Sequence, residues 1–293
     1  ADKKGVILAT YLKKCSYFLV MLMVLNVIMY YFGEKYYFKG YYEYSLAYDT
    51  YILADSHGLV LENDSEIYGA YNFSAASDSY IDMLRKIKYL ARNTNIQKVY
   101  ITVDHHTLSP YRERINNTDR STFYSTSEDY DSYYEYIKQK YVINNIIFFQ
   151  PKTISVLKVA IVSKLREIMG DDSKIPSGKV INKWESLKSS ERIKKAVGRI
   201  NYQFPSQDRS KAMSDALLEV VQVCKKRDIT LIGLKYPVSI EYVNNLDNDI
   251  SDAEQIFIEQ GLAIMDYKEY YLPHSNLFSG ADHMNREGGK LLV

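Results

Sequence analysis

Residues 15–32, CSYFLVMLMVLNVIMYYF, contain no charged side chain. Such a run restricts folding strongly, because it needs either a bilayer or the inside of a large core. As a helix rising ~1.5 Å per residue it measures roughly 27 Å, close to the ~30 Å hydrocarbon thickness of a membrane. Lys13-Lys14 stand just before it, with Lys3-Lys4 further upstream. By the positive-inside rule these lysines keep the N-terminus in the cytoplasm and send residues 40–293 to the other side. Tyr30, Tyr31, Tyr36, Tyr37, Tyr41 and Tyr42 then form an interfacial aromatic belt, the blander alternative to a sugar-stacking cluster. Two readings compete with an anchor. A cleaved signal peptide would need an A-x-A-like site, and none follows the run. A buried core helix would accommodate Asn26, which interrupts the run. The expected division is a cytoplasmic segment 1–14, a transmembrane helix 15–33, a juxtamembrane linker 34–47 and a folded domain 48–293. Ala1 stands where an initiating Met would, and the chain stops soon after its last motif, so trimming at both ends is expected.

Beyond residue 50, short apolar runs alternate with helical periods. YDTYILA (48–54), EIYGAYNFS (66–74), KVYITV (98–103), ITLIGLKYP (229–237) and GLAIMDY (261–267) read as strands. Ile81, Leu84, Ile87 and Leu90 recur every three positions and mark a helix over 79–93. Further helices are expected over 153–169, 183–198, 211–227 and 251–260. Strands separated by helices imply an α/β fold, three-layer α/β/α with a mainly parallel sheet, preceded by the transmembrane helix. Residues 117–136 have a loop composition, and 105–208 is expected to form an insertion or lid over the sheet. The 293 residues are enough for a full core, and the net charge of +1 is spread without a basic stripe, so no nucleic-acid partner is expected. Cys15 and Cys224 imply no disulfide framework. The histidines, His57, His105, His106, His274 and His283, show neither H-x-x-x-H nor HExxH spacing, so no metal and no cofactor are expected.

In YILADSHG (51–58) a strand stops at Asp55-Ser56-His57-Gly58. Open α/β sheets take their ligands at the carboxyl ends of strands. Ser56 there is either a nucleophile whose N–H faces a developing oxyanion, or part of a turn in which Asp55 or Ser56 caps a helix. A serine hydroxyl needs a neighbouring base. FSGADHMNREGGKLL (278–292) supplies one in His283, preceded by Asp282 in a loop after the last strand.

ADSHG, the stretch Asn72-Phe73-Ser74-Ala75-Ala76-Ser77 and DHMNREGGKLL, in that order, resemble the SGNH (GDSL-like) hydrolase superfamily. The resemblance covers residues 50–104 and 211–293. Ala54 replaces the glycine of the first block. The resemblance implies Ser56 as nucleophile and oxyanion donor, with a backbone donor from Ala76 or its neighbour, in the block opened by Asn72. TVDHHTL (102–108) stands in the place of the third block, so Asp104 or His105 occupies the position of an asparagine donor, or serves only as a loop residue. The position three before His283, where the family carries an acid, is Gly280. Either the adjacent Asp282 replaces it, or Ser56 and His283 act as a dyad. His283, Asn285 and Gly288 resemble the ending of membrane-anchored, envelope-associated members. That similarity implies acyl (acetyl) transfer to hydroxyls of an envelope or secreted polysaccharide, beside a multi-spanning membrane acyl donor. The alternatives are an esterase removing the same groups and a non-catalytic assembly or binding module.

Overall fold

A computed structural model describes residues 3–143, 146, 149–150, 152–169, 184–247 and 253–292. The chain forms two units, one of residues 1–43 with 126–178 and one of residues 44–125 with 179–293.

In the first unit the helix Lys3–Gly33 continues through a wider turn, Glu34–Phe38, into Lys39–Tyr42. The segment expected as a linker is therefore helical as far as Tyr42. Nothing in it breaks a helix, and ring pairs four residues apart, Phe32–Tyr36 and Phe38–Tyr42, stack along it. Val6–Tyr42 is long and apolar enough to cross a membrane. A second helix, Thr153–Met169, belongs to the same unit and buries Val156 and Ala160. Within 117–136, expected as loop, the part in this unit makes the short helical turns Ser127–Asp129 and Tyr133–Ile137.

The second unit is built on a parallel five-stranded sheet. Its strands are β1 (Thr50–Leu53), β2 (Ala70–Asn72), β3 (Lys98–Thr102), β4 (Thr230–Lys235) and β5 (Ala263–Asp266), in the order β2-β1-β3-β4-β5. Ile52 pairs with Asn72 on one side and with Tyr100 on the other. β2 is shorter than the expected 66–74, because Asp64–Tyr68 coils into a 3-10 turn that Gly69 ends at φ +78°. Leu53, Val99 and Ile101 are fully buried. Ile52, Ala54, Leu234 and Tyr236 form a second apolar layer with Leu61, against which Leu292 packs. The helix Tyr80–Asn93 starts at a capping box between Ser79 and Asp82, and it packs on the helix Lys211–Lys226. The expected helix 183–198 is realised as Ser189–Gln203, residue 183 lying outside the described residues. Ala253–Glu259 is helical, while 251–252 also lie outside them.

The insertion expected over 105–208 is not one block. Residues 105–125 belong to the sheet unit, as do 184–208, whereas 126–169 belong to the helical unit. Tyr111, Tyr124, Ala196 and Ile200 are buried in the sheet unit, which is why its ends of this stretch cannot be separated from the core.

Candidate active site

β1 leads outward to β2, whereas the chain from β2 returns past β1 to β3 and then continues in one direction. The carboxyl ends of β1 and β3 therefore lie at a topological switch point, where open α/β sheets form their ligand crevice. Ser56 follows β1, and Asp104, His105 and His106 follow β3.

Asp55 makes the turn after β1. Its Oδ1 accepts from the His57 N–H at 2.9 Å and its carbonyl from the Gly58 N–H at 3.2 Å. A Cβ on Gly58 would stand 2.3 Å from Ser74 Oγ and 2.7 Å from the Ala54 Cβ, so only glycine fits there. The Asp55 side chain thus closes the turn at His57, and the Ser56 hydroxyl points elsewhere. It meets His283, with Ser56 Oγ 2.8 Å from Nε2. His283 Nδ1 in turn lies 2.8 Å from Asp282 Oδ1. With Nδ1–H donating to the carboxylate, Nε2 is the acceptor for the serine hydroxyl. The His283 ring is 29% exposed, while Asp282 is buried. A tight loop presents the pair: Phe278 and Met284 form an antiparallel bridge, and the Ser279 N–H donates to the His283 carbonyl. Asn285 then caps the helix Arg286–Leu292 by accepting from the Gly288 N–H.

The second block buttresses the first. The Ala54 N–H donates to Ser74 Oγ, and the Ala75 N–H to the Ala54 carbonyl. The Asn72 amide donates to the carbonyls of Gly58 and Glu62, so this side chain holds the loop after Ser56 and is not an oxyanion donor. Ala76 is exposed, and its carbonyl accepts from Asn117. Ser77 takes φ +72°, in the left-handed region. Beneath them Lys86 donates to the Phe73 carbonyl and to Asp78 at 2.7 and 2.6 Å.

Below the Ser56–His283 pair lies a buried layer of charge. His57 Nδ1 is 2.5 Å from Asp104 Oδ2, and its Nε2 is 3.6 Å from Asp282 Oδ2. The His57 ring packs edge-on against His283. Asp282 Oδ2 also accepts from Arg199 Nε at 2.7 Å and from Gln203 Nε2 at 3.0 Å. His106 donates to Asp55 at 2.8 Å, with Arg112 at 3.6 Å from the same oxygen. Burial opposes a charged imidazole, but Asp55 and Asp104 outweigh it and hold His57 well above the ordinary histidine value. Burial likewise opposes a charged Asp282, yet His283, His57 and Arg199 hold its carboxyl well below the usual range. Asp55 is depressed in the same way, against burial, by His57 and His106. Burial lowers His106, which serves as a neutral donor. Three carboxylates, Asp55, Asp104 and Asp282, thus face three cations, His57, Arg112 and Arg199, and the layer is neutral overall.

Asp104 therefore does not occupy an oxyanion position near Ser56. It accepts from Thr102, from the Tyr236 N–H and from His57, and so fixes the third loop to the first. His105 is half-buried, and its neighbour His106 is the one that turns in to Asp55. From sequence, His57 and His106 are weighed only as metal ligands, and Arg112, Arg199 and Gln203 are missed. Arg199 and Gln203 carried a signal, since they share the inward, helically spaced face of Ala196 and Ile200.

The groups Asp55–His57–His106 and His57–Asp282–His283 each bring their ligand atoms within 4.8 Å of one another. Their chemistry suits charge compensation better than a cation: Arg112 and Arg199 already neutralise the carboxylates, and a charged His57 offers no lone pair. Two cavities of this unit, of about 550 and 250 Å3, are lined by neither Ser56 nor His283. Ser56 and His283 are both partly exposed. A scan against protein-family models and a search of curated proteins each found no match to this chain.

Proposed function

We propose that this chain is a membrane-anchored, serine-dependent acyltransferase with an SGNH-like three-layer domain. It transfers acetyl or similar acyl groups to hydroxyls of an envelope or secreted polysaccharide on the extracytoplasmic side. The observation that carries this reading is the relay Ser56–His283–Asp282, with both links at 2.8 Å, standing at the switch point of a parallel sheet. The D-x-x-H acid is absent at Gly280, and Asp282 takes its place through the other face of the loop.

In this mechanism His283 Nε2 removes the Ser56 proton as Oγ attacks the carbonyl carbon of the acyl donor. The carbonyl electrons move to oxygen, and the oxyanion forms against backbone N–H groups of Ser56 and of Ala76 or Ser77, the Ala75 N–H being held by the Ala54 carbonyl; each donor is worth ~3–4 kcal/mol. Asp282 keeps Nδ1–H in place and offsets the imidazolium charge. The tetrahedral intermediate collapses and His283 returns the proton to the leaving oxygen. A sugar hydroxyl then attacks the acyl-Ser56 carbonyl, giving its proton to His283; the second tetrahedral intermediate collapses, the bond to Ser56 Oγ breaks, and His283 returns the proton to Oγ. The partial exposure of Ser56 and His283 supports a reading in which a polymer hydroxyl approaches from the surface.

Covalent capture by a fluorophosphonate probe tests the nucleophile. Wild type is expected to label on Ser56, and Ser56→Ala to remain unlabelled while staying folded. A folded wild type with accessible Ser56 that neither labels nor cleaves p-nitrophenyl acetate overturns catalysis and leaves a binding module. Polymer acetylation in cells then separates directions: loss with Ser56→Ala supports transfer, whereas a gain makes the protein an esterase.

A further inference from the structure

The helix Thr153–Met169 is too short and too charged to read as a membrane span, yet its surface is that of a membrane helix on one side. Ile154, Ile161, Leu165 and Ile168 are 83, 58, 53 and 69% exposed. Their spacing of seven, four and three places them on one helical face. The opposite side buries Val156 and Ala160 within the helical unit.

The register against the N-terminal helix shows where this face lies. Leu157, Ile161 and Leu165 line one apolar cavity with Ile28 and Phe32. Further along, Glu167 accepts from Lys35 at 3.1 Å and from the Tyr36 hydroxyl. The two helices therefore run in the same direction, with 157–165 beside 28–32 and 167 beside 35–36. Residues 28–32 belong to the uncharged run, and Glu167 lies past its end. Ile154, one turn before Leu157, falls roughly 10 Å inside the end of that run at 1.5 Å per residue.

We infer that residues 153–169 form a second membrane-inserted helix, half-sunk in the leaflet at the C-terminal end of the anchor, with its N-terminal end deepest. The occupant of its exposed face is lipid acyl chain, because the face continues the exposed surface of the anchor, where Leu25, Ile28 and Tyr31 are open. Three of the helix's four charges, Lys164, Arg166 and Glu167, stand in its last two turns, near the end of the uncharged run. Lys158, on the exposed side, has a stem long enough to snorkel to the interface. The acidic residue of the helix stands at the level of Lys35. An inserted depth of this order is that of interfacial amphipathic helices. The inference rests on reading the N-terminal helix as a membrane anchor.

The test uses the full chain in phosphatidylcholine vesicles whose acyl chains carry bromine near the bilayer centre. A tryptophan is added at Ile154→Trp, Ile168→Trp or, as reference, Met23→Trp, each at an exposed position. Emission is read as the difference from the parent, which keeps its own Trp184. Met23→Trp and Ile154→Trp are expected to lose most of the added emission, and Ile168→Trp much less. If Met23→Trp is quenched but Ile154→Trp no more than Ile168→Trp, the inserted helix is overturned; cover by a second copy or another protein gives that same protection. An unquenched Met23→Trp overturns the anchor itself and the inference with it.

Discussion

Arg112 and Lys86 are among the largest fully buried side chains of the sheet unit, whereas in the helical unit Ile7, Val20, Met23 and Val27 lie more than half exposed. Both units bury apolar side chains, Phe38, Val156 and Ala160 in the helical one, and they differ in what faces outward. In the sheet unit, charge goes in only where a partner meets it: Lys86 with Asp78, His57 with Asp104, Arg199 with Asp282. In the helical unit, apolar surface faces out, and Glu167 pairs with both Lys35 and Lys164. The difference teaches that burial is defined by the surrounding medium. Water drives apolar atoms into the sheet unit's core, while on the proposed reading of the long helix as an anchor a hydrocarbon surround makes its exposed isoleucines stable and an exposed charge costly.

The sharpest way to test the buried charge is at its contact with the relay. Asp282→Asn keeps the shape but removes the charge opposite His283, and transfer is expected to fall by ~10⁴-fold. A fall of less than about tenfold in the folded protein would make Ser56 and His283 a dyad and strip Asp282 of its role.

His57→Ala comes next, because it leaves Asp104 and Asp282 buried without their shared cation. The expected loss is ~3–5 kcal/mol in denaturant unfolding. Its pH signature follows from the directions above. A histidine raised in the folded state stabilises fully below its unfolded value near ~6.5, and that stability fades as pH rises through the folded value. The depressed Asp55, Asp104 and Asp282 stabilise above ~4 and lose that contribution as pH falls. Wild type should therefore be most stable between these limits and soften toward alkaline pH, and His57→Asn should flatten the alkaline slope. An unchanged slope would show that His57 is neutral in the folded protein.

A matched pair then addresses the two units directly. Leu53→Ala, at a fully buried strand position, should cost ~2–5 kcal/mol. Val20→Ala, on the exposed face of the long helix, should cost less than ~0.5 kcal/mol in detergent. A loss at Val20 as large as that at Leu53 would mean that a packed protein surface, not solvent or lipid, covers the helix. The smallest effect is expected at Ser77, whose left-handed φ is held by the Lys86–Asp78–Asn117 network. Ser77→Gly should raise stability by ~0.5 kcal/mol, and a loss would reveal a contact of the serine side chain that outweighs its strain.

By itself the sequence determined which segments are periodic and which are uncharged. Apolar side chains at a period of two or near 3.6 announce strands and helices because each element must bury one face, and an uncharged run announces a helix because backbone groups in apolar surroundings must pair locally. The turn chemistry of Asp55-Ser56-His57-Gly58 and the strand ends that carry Ser56 and Asp104 were legible for the same reason. Tertiary structure alone decided which carboxylate meets which imidazole. His105 and His106 are adjacent and chemically identical, and only the path of the turn after β3 brings His106 to Asp55. Asp104 goes to His57 because β1 and β3 are neighbours, a pairing between residues far apart in the chain. Arg199 reaches Asp282 across 83 positions, and no local pattern encodes a contact that exists only once the helix has docked. The same holds for the helix 153–169, whose exposed isoleucines acquire meaning only from their register beside residues 28–36.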